Sequence, residues 1–262
     1  MTYNYAYLYL LSPLHTGGTT QEGNLLGIAR ESHTNLPYLP SSSIRGRIRA
    51  SEGDTTKRNR LFGTTLEESS TLEQGDIWIG DGSLLWLPVP SLSHGIVWIS
   101  SPMLLRRWGR FQESLPEIPE AYSTNLDTDK PIYLKDAIIK PNHLRAWSDW
   151  EHFMPEHTQT QMIERVLILP DQHCSTLIQM SLWRQVKIKL DQHKSVDGGF
   201  RYEEAIPPDT LMYFPWGLTA KANGTAEQSE SDFKQLIESH ELLQIGGQES
   251  LGRGFVQQWL DS

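Results

Sequence analysis

The 262-residue sequence lacks the features that mark several large classes of protein. It contains one cysteine, Cys174, so an internal disulfide framework is excluded and a reducing compartment is expected. No apolar run approaches the roughly 18 residues that a membrane-spanning helix needs. No secretory leader is visible, and we therefore expect a cytoplasmic protein without a membrane partner. P-loops, zinc-protease helices and nucleophile elbows are also missing.

The sequence has no overall excess of positive charge either. Its net charge is −9, whereas proteins that bind nucleic acids are usually basic. Binding depends on local clustering, however, and the cations are bunched. The groups are Arg30, Arg45, Arg47, Arg49, Lys57, Arg58 and Arg60; Arg106, Arg107 and Arg110; and Arg184, Lys187, Lys189, Lys194 and Arg201. The acids lie near residues 67–68, 113–120 and 227–232. This pattern predicts one basic face and one acidic face, with scattered surface charge as the alternative.

A glycine-rich loop near the carboxyl terminus is the most informative local pattern. Residues 242–245 and 255–260 are predicted strands, and residues 246–254 join them. Glycine lets a phosphate approach the backbone amide closely, and arginine adds a planar set of donors. The loop is thus a predicted site for a phosphodiester chain, with a plain hairpin turn as the alternative. Its candidate residues are Gly246, Gly247, Gly252, Arg253 and Gly254.

A second candidate phosphate site lies at the start of a predicted helix. Ser41, Ser42 and Ser43 offer N-cap hydroxyls to a helix from about residue 44 to residue 51. Arg45 and Arg49 fall on one face of that helix because they are four residues apart. Free amides and hydroxyls at a helix N-terminus attract phosphate. A plain capped surface helix is the alternative.

The remaining periodicity predicts an α+β protein. Strands are expected at residues 1–11, 76–79, 83–89, 95–99, 165–169, 177–190 and 200–204. Residues 191–199 are a predicted polar hairpin tip, 113–140 a surface insertion and 220–231 a linker. Helices are expected at 102–110 and 232–240, the second with Phe233, Leu236 and Ile237 inward. This order favours a ferredoxin-like sheet with large insertions.

Several segments together resemble the RAMP superfamily of CRISPR-associated proteins, and within it the repeated backbone subunit of type III-B (Cmr) effector complexes. The segments are Leu14-His15-Thr16-Gly17-Gly18, Arg30-Glu31, residues 36–49, Leu61-Phe62-Gly63, residues 81–89, Ser101-Pro102, residues 199–204 and the terminal glycine loop. They span nearly the whole chain in family order. The resemblance implies a modified ferredoxin-like (RRM-like) palm from about residues 1–100 and 205–262, insertions at about 111–160, and an inserted β-hairpin thumb at about 184–204.

The resemblance also implies partners and site residues. Copies of such a subunit stack head to tail along a guide RNA beside other type III subunits, and complementary target RNA pairs with the guide between thumbs. Binding needs no cofactor. The implied RNA-binding residues are His15, Gly17, Gly18, Ser41, Ser42, Ser43, Arg45, Gly46, Arg49, Lys187, Lys189, Lys194, Phe200, Arg201, Gly246, Gly247, Gly252, Arg253 and Gly254.

One departure from the family pattern concerns RNA cleavage. Active members carry an aspartate that supports metal-assisted attack by the 2′-hydroxyl of the target RNA. Alignment on Arg30-Glu31 puts this position at about Leu25, and neither Leu25 nor the adjacent Asn24 offers a carboxylate. Glu22 and His15 are the substitute catalytic candidates, and Mg²⁺ or Mn²⁺ is needed only if cleavage is retained. The departure puts target cleavage in doubt.

Three alternatives remain at this level. The chain could be an active RNA endonuclease subunit, or a guide-processing endonuclease of the same superfamily. It could also be a zinc protein that uses His152, His157, His173 and Cys174, although their spacing matches no standard zinc pattern.

Overall fold

The computed structural model describes residues 4–18, 21–22, 25–65, 72–112, 114 and 116–261. Within these residues the α-helices are α1 (Ser41–Ser51), α2 (Thr55–Phe62), α3 (Pro102–Gly109), α4 (Asp171–Ser181) and α5 (Ala226–Ser239). Short 3₁₀ helices cover Pro141–His143, Asp149–Phe153, Thr158–Met162, Ala220–Ala222 and Glu249–Leu251.

The strands are β1 (Asn4–Leu10), β2 (Gln21–Glu22), β3 (Leu25–Leu26), β4 (Ile77–Ile79), β5 (Ser83–Ser91), β6 (Gly95–Ser100), β7 (Ser123–Thr124), β8 (Ile132–Leu134), β9 (Ala137–Ile139), β10 (Arg145–Ala146), β11 (Val166–Ile168), β12 (Trp183–Leu190), β13 (Val196–Ala205), β14 (Leu211–Leu218), β15 (Leu242–Gln244) and β16 (Phe255–Leu260). The mixture of helices and strands confirms the α+β class.

A large mixed sheet organises the chain. Its strand order is β10-β7-β11-β6-β5-β14-β1-β16-β15, and β1 is antiparallel to both of its neighbours, β14 and β16. Strands β4 and β5 pair with successive parts of β14. A second sheet has the order β12-β13-β3-β2. Strands β12 and β13, which we call the thumb hairpin, thus share the second sheet with β3 and β2 and do not belong to the large one.

Strand β1 is buried on both faces, which explains its continuous apolar and aromatic sequence. Ala6, Leu8 and Leu10 point into one hydrophobic cluster, while the alternate tyrosines of the strand, Tyr5 to Tyr9, point into the other. This is the alternation that a strand imposes on successive side chains. Each face therefore needs its own covering layer.

Helices α1, α2 and α5 cover the first face. Their buried side chains include Ile44, Ile48 and Phe233. The Phe233 ring lies 4.6 Å from the ring of Trp216 on β14 and 6.2 Å from that of Phe62 on α2, measured between centroids. The aromatic contacts join the sheet to both helices, as edge-to-face ring pairs do in protein cores.

Helix α3 and residues 141–163 cover the second face. The indole Nε1 of Trp108 donates to the Tyr7 hydroxyl at 3.0 Å, and that of Trp86 donates to the Phe153 carbonyl at 3.0 Å. Part of the segment predicted as a surface insertion therefore closes the core. Its strand β7 also joins the large sheet beside β11.

The prediction of one strand over residues 177–190 is wrong for its first part. Helix α4 runs to Ser181, and Cys174, Leu177 and Ile178 are buried on one of its faces. Their spacing of three and four residues is helical, whereas the long apolar run that continues into β12 imitated a strand. The helix ends before Trp183, where β12 begins.

The predicted linker at residues 220–231 is also wrong, because α5 begins at Ala226. Its polar composition reflects an exposed face and one buried polar contact. Ser229 and Thr225 each donate a hydroxyl hydrogen bond of 2.7 Å to the Asp76 carboxylate. The inward placement of Phe233, Leu236 and Ile237 is confirmed.

Within the described part of the chain, no helix is both long and apolar enough to cross a membrane.

We expect Phe233→Ala to lower the free energy of unfolding by about 3–5 kcal/mol, because it removes a fully buried ring between the sheet and two helices. Urea denaturation followed by circular dichroism measures the loss. The adjacent Lys234→Ala variant, at a partly exposed side chain, is the control. Equal stability of the two variants would contradict the proposed packing.

Candidate nucleic-acid interface

The thumb hairpin has one apolar face and one charged face. Cross-strand pairing sets Val186 opposite Tyr202 and Ile188 opposite Phe200. These four side chains are between 41% and 52% exposed, so the apolar face is open to solvent. The rings of Phe200 and Tyr202 meet edge to face with centroids 5.5 Å apart. The hairpin thus offers exposed aromatic rings, which can stack on nucleobases.

The opposite face and the tip carry cations. Lys187 lies opposite Arg201 in the register, and Lys189 is exposed further along β12. At the tip, Lys194 is exposed and adopts a left-handed backbone conformation with φ of 61°. The Asp191 carboxylate accepts from the backbone N–H of Ser195 at 2.9 Å, which closes the turn. The predicted polar tip is therefore an ordered turn, and β13 starts at Val196.

Two adjacent glutamates lie buried at the base of the hairpin. Glu203 is fully buried, yet its carboxylate pairs with Lys187 at 3.0 Å, Arg201 at 3.0 Å and Arg253 at 3.1 Å. A buried carboxylate needs such partners because its desolvation is otherwise costly. Burial acts to raise the pKa of Glu203, but the hydrogen bond and charge of Lys187 and the charge of Arg253 outweigh it and leave the pKa lowered.

The second glutamate has its own set of cations. Glu204 is 1% exposed, and its carboxylate pairs with Arg30 at 2.7 Å and Arg184 at 2.9 Å. Together, five cations surround the two carboxylates, which leaves a local excess of three positive charges. Neither glutamate is among the site residues predicted from the sequence. The only sequence signal is weak: two acids in a predicted strand between clustered cations.

His15 is part of this base and is buried. Its Nδ1 lies 2.8 Å from the carbonyl oxygen of Glu204. Because a carbonyl only accepts, Nδ1 is the donor in this hydrogen bond. Gly18 approaches the same region closely, since a Cβ there would lie 2.7 Å from the Gly27 carbonyl. Gly17 has a positive φ of 66°. The structure therefore brings His15 and Gly18 to the thumb base, and Gly17 joins them in a left-handed turn conformation.

The glycine loop reaches the same place, but its amides serve the protein. Gly247 donates to the His15 carbonyl at 3.0 Å, and Gly254 donates to the Pro13 carbonyl at 3.0 Å. A Cβ on Gly254 would lie 1.9 Å from the Ile245 carbonyl, and Gly252 donates to the Glu249 carbonyl at 2.8 Å. The close approach that these glycines permit is thus between two segments of the chain, which corrects the prediction of open phosphate-binding amides.

Arg253 is likewise committed to the protein. It is 3% exposed, and its guanidinium bonds to Glu203, Gln248 and Gln185. The guanidinium also lies 4.5 Å above the ring of Trp183. Burial and these partners use its donors, so the structure does not present Arg253 as an open phosphate ligand.

The α1 candidates form a second group, away from the thumb base. The guanidinium of Arg45 donates to the Phe62 carbonyl and that of Arg49 donates to the Gly63 carbonyl, both at the end of α2. Cations are favourable there because helix carbonyls are unsatisfied. The two arginines do share one face, as predicted, but that face turns toward a neighbouring helix.

The predicted serine cap on α1 is wrong. The helix already begins at Ser41, and its N-cap residue, Pro40, makes no side-chain capping hydrogen bond. Instead the Asp81 carboxylate accepts from the Ser41 amide at 2.7 Å. Ser42 and Gly46 are exposed on α1, while Ser43 is partly buried. The anion that meets this helix N-terminus is therefore a carboxylate of the chain itself.

Comparison with known proteins identifies the family. The RAMP superfamily description matches residues 7–257, nearly the whole chain. The chain belongs to the RAMP superfamily. Among curated proteins it is similar to the CRISPR system Cmr endoribonuclease Cmr4 of Pyrococcus furiosus, with 28% identity over 277 residues, 95% of this chain and 92% of that protein.

Solved RAMP structures have the same fold. A crystal structure of oligomeric Cmr4 from Pyrococcus furiosus matches with a TM-score of 0.73 and 25% identity, and the match covers 100% of this chain and 98% of that one. A cryo-EM structure of type III-B Cmr-beta bound to cognate target RNA contains a chain that matches with a TM-score of 0.76 and 19% identity, over 99% and 97% of the two chains. At 19% identity, the similarity to the second structure supports the fold alone.

Leu25, at about the position where the sequence predicts the family aspartate, lies beside the thumb base. Leu25 on β3 pairs with Tyr202 on β13 and lines a cleft of about 520 Å³ together with Arg30, Arg184 and Glu204. Leu25 offers no metal ligand, and Glu204 already serves two arginines. Asn24 and the side chain of Glu22 lie outside the described residues.

Leu25 and the paired Glu204 offer no uncommitted carboxylate to a divalent ion. Among the residues that the structure describes, no three His, Cys, Asp or Glu side chains converge as metal ligands would. The zinc alternative also lacks support. His157 stacks on Trp259 at 3.9 Å, His173 lies 3.2 Å from the Tyr122 hydroxyl, and Cys174 is buried in the core.

We expect acid to destabilise the protein through Glu203. A lowered pKa in the folded state means that the stabilisation is present above the unfolded pKa of about 4.3 and is lost as the pH falls through the folded pKa. Glu203→Gln should therefore give a shallower loss of unfolding free energy between about pH 5 and pH 3. Urea denaturation at each pH tests this. Glu73→Gln, at an exposed ion pair, is the control, and parallel pH curves for the native protein and Glu203→Gln would contradict the pairing.

Proposed function

We propose that the chain is a guide-RNA-binding backbone subunit of a type III-B (Cmr) ribonucleoprotein of antiviral defence. In this proposal, copies stack head to tail along the guide in the cytoplasm, beside other type III subunits, and hold target RNA paired with the guide. The proposal is supported by RAMP membership and by similarity to Cmr4, a protein that has been crystallised as an oligomer. Similarity in fold to a chain of a target-RNA-bound Cmr complex is consistent with it.

The palm of this proposal is the central part of the large sheet. The order β16-β1-β14-β5 has antiparallel neighbours, with α1 following β1 and α5 following β14 in the chain. We interpret this arrangement as a ferredoxin-like, RRM-like palm. The thumb hairpin and residues 111–160 are then its insertions.

The observation that carries the proposal is the exposed thumb hairpin above a positively charged base. Its aromatic rings, Phe200 and Tyr202, are open for stacking on bases, and the exposed Lys189 and Lys194 can neutralise phosphates. Lys187 and Arg201 extend this charged face while they pair with Glu203. Phosphate contacts position RNA without reading its sequence, so recognition of a target falls to base pairing with the guide. No metal is required for this binding.

Salt dependence of RNA binding tests the electrostatic part. We expect Lys189→Gln with Lys194→Gln to weaken binding and to reduce the slope of log affinity against log salt by roughly 0.7 for each phosphate that is no longer neutralised. Fluorescence anisotropy with a labelled RNA measures both effects. Lys130→Gln with Lys221→Gln removes the same charge away from the hairpin and should leave the slope unchanged. An equal change in both double variants would contradict a binding role for the hairpin.

A metal-dependent endonuclease subunit is the second candidate, since the relative from Pyrococcus furiosus is named an endoribonuclease. Leu25 argues against it, because the position that carries the family aspartate has no carboxylate. Mg²⁺ or Mn²⁺ would be needed for this activity alone. The two candidates therefore differ in a measurable product, cleaved target RNA.

We expect Leu25→Asp to introduce target cleavage at regular intervals in the assembled complex, because it restores the carboxylate beside the thumb base. Gel analysis of labelled complementary RNA with Mg²⁺ or Mn²⁺ detects the products. Leu26→Asp, one residue along the same strand and on its other face, is the matched control. Regularly spaced products from the unaltered chain would contradict the scaffold-only function.

A further inference from the structure

The direction of the thumb hairpin depends on contacts at its base. Its two strands pair chiefly with each other, and only Tyr202 and Glu203 of β13 pair with β3 in the register. A two-stranded hairpin is marginally stable on its own in water. Residues 184–186, 188–189 and 199–202 are exposed, so packing of this outer part against the palm does not fix the angle of the hairpin. The contacts that fix the angle of the hairpin therefore lie near Glu203 and Glu204.

Glu203 and Glu204 form ion pairs on opposite faces of the hairpin. They are neighbours on β13, and successive side chains of a strand point to opposite sides. On one side, Arg253 reaches Glu203 from the loop between β15 and β16. On the other side, Arg30 reaches Glu204 from the loop before α1. The two palm cations come from segments more than two hundred residues apart and meet adjacent carboxylates.

Each palm cation also holds a second element. The guanidinium of Arg253 donates to Gln185 at 2.8 Å and covers the Trp183 ring, so it contacts β12 as well as β13. Arg30 donates to Gln179 on α4, the helix that leads into the hairpin. Rotation of the hairpin in either direction would break one set of these bonds.

We propose that Glu203 and Glu204 are positioning residues which, through Arg253 and Arg30, hold the thumb hairpin at a fixed angle to the palm so that target RNA pairs in register with the guide. The inference rests on the proposed function and adds a specific device to it. The cations of the hairpin itself, Arg184, Lys187 and Arg201, complete the neutralisation of the carboxylates but cannot fix the angle, because they move with the hairpin.

The test removes the two palm cations and leaves those of the hairpin. In the full-length Arg30→Gln, Arg253→Gln double variant, we expect hydrogen exchange of residues 196–205 to rise by roughly tenfold or more while exchange of β1 stays unchanged. Lys221→Gln, at an exposed ion pair of the palm, is the control and should change neither. Unchanged protection of the hairpin in the double variant would overturn the proposal.

A second readout separates positioning from general stability. With a synthetic guide RNA at saturating concentration and a labelled complementary RNA, the double variant should release the target about tenfold faster than the native protein. Arg30→Lys, which keeps the charge, should restore part of the target retention when it replaces Arg30→Gln. A loosened hairpin with normal target retention would overturn the positioning role.

Two further outcomes would separate the proposed function from the role of the palm cations. If the native protein binds no guide RNA, the proposed function fails, while hydrogen exchange still decides whether the palm cations hold the hairpin. If the double variant loses protection in β1 as well, the single variants Arg30→Lys and Glu204→Gln carry the test. Their hairpins must then exchange faster than that of Lys221→Gln, and equal exchange would overturn the proposal.

Discussion

The neutralisation of two buried carboxylates is the constraint on which the candidate site depends. Glu203 and Glu204 lie at the junction of the thumb hairpin with the rest of the fold and are almost fully buried. A buried charge is tolerated only with partners, so five cations converge on the pair. His15, the glycine loop and β3 pack around the same junction. The geometry of the hairpin follows from this convergence.

In the proposed function, the same constraint lets an acidic chain bind a polyanion. The net charge of −9 predicts repulsion at long range, but the thumb base has more cations than carboxylates and the tip adds Lys194. Exposed acids such as Glu227 and Glu238 lie on α5, which covers one face of the large sheet. Local clustering and not total charge then decides where RNA is attracted. The proposed binding is then confined to a narrow strip of the surface.

Elements with clear periodicity could be predicted from the sequence, whereas those defined by distant partners could not. The alternation in β1, the thumb turn and the glycine loop between two strands are recognisable because each pattern is local. Helix α4 is hidden since its apolar face runs directly into β12, and the start of α5 is hidden since its buried polar residue, Ser229, bonds to the distant Asp76. The role of Arg253 is obscured for the same reason. No residue near Arg253 in the sequence indicates that its partner is Glu203, fifty residues earlier.

The α1 arginines show a second limit of prediction from the sequence. Their spacing correctly put Arg45 and Arg49 on one face, but spacing does not indicate what that face contacts. It contacts the carbonyls that end α2.

The most direct test of the central claim is photo-crosslinking of the protein to a guide–target RNA duplex with photoreactive bases. Our account predicts crosslinks at Phe200 and Tyr202 and on the strip beside the thumb base, whereas crosslinks confined to α5 or to the segment 141–163 would contradict it.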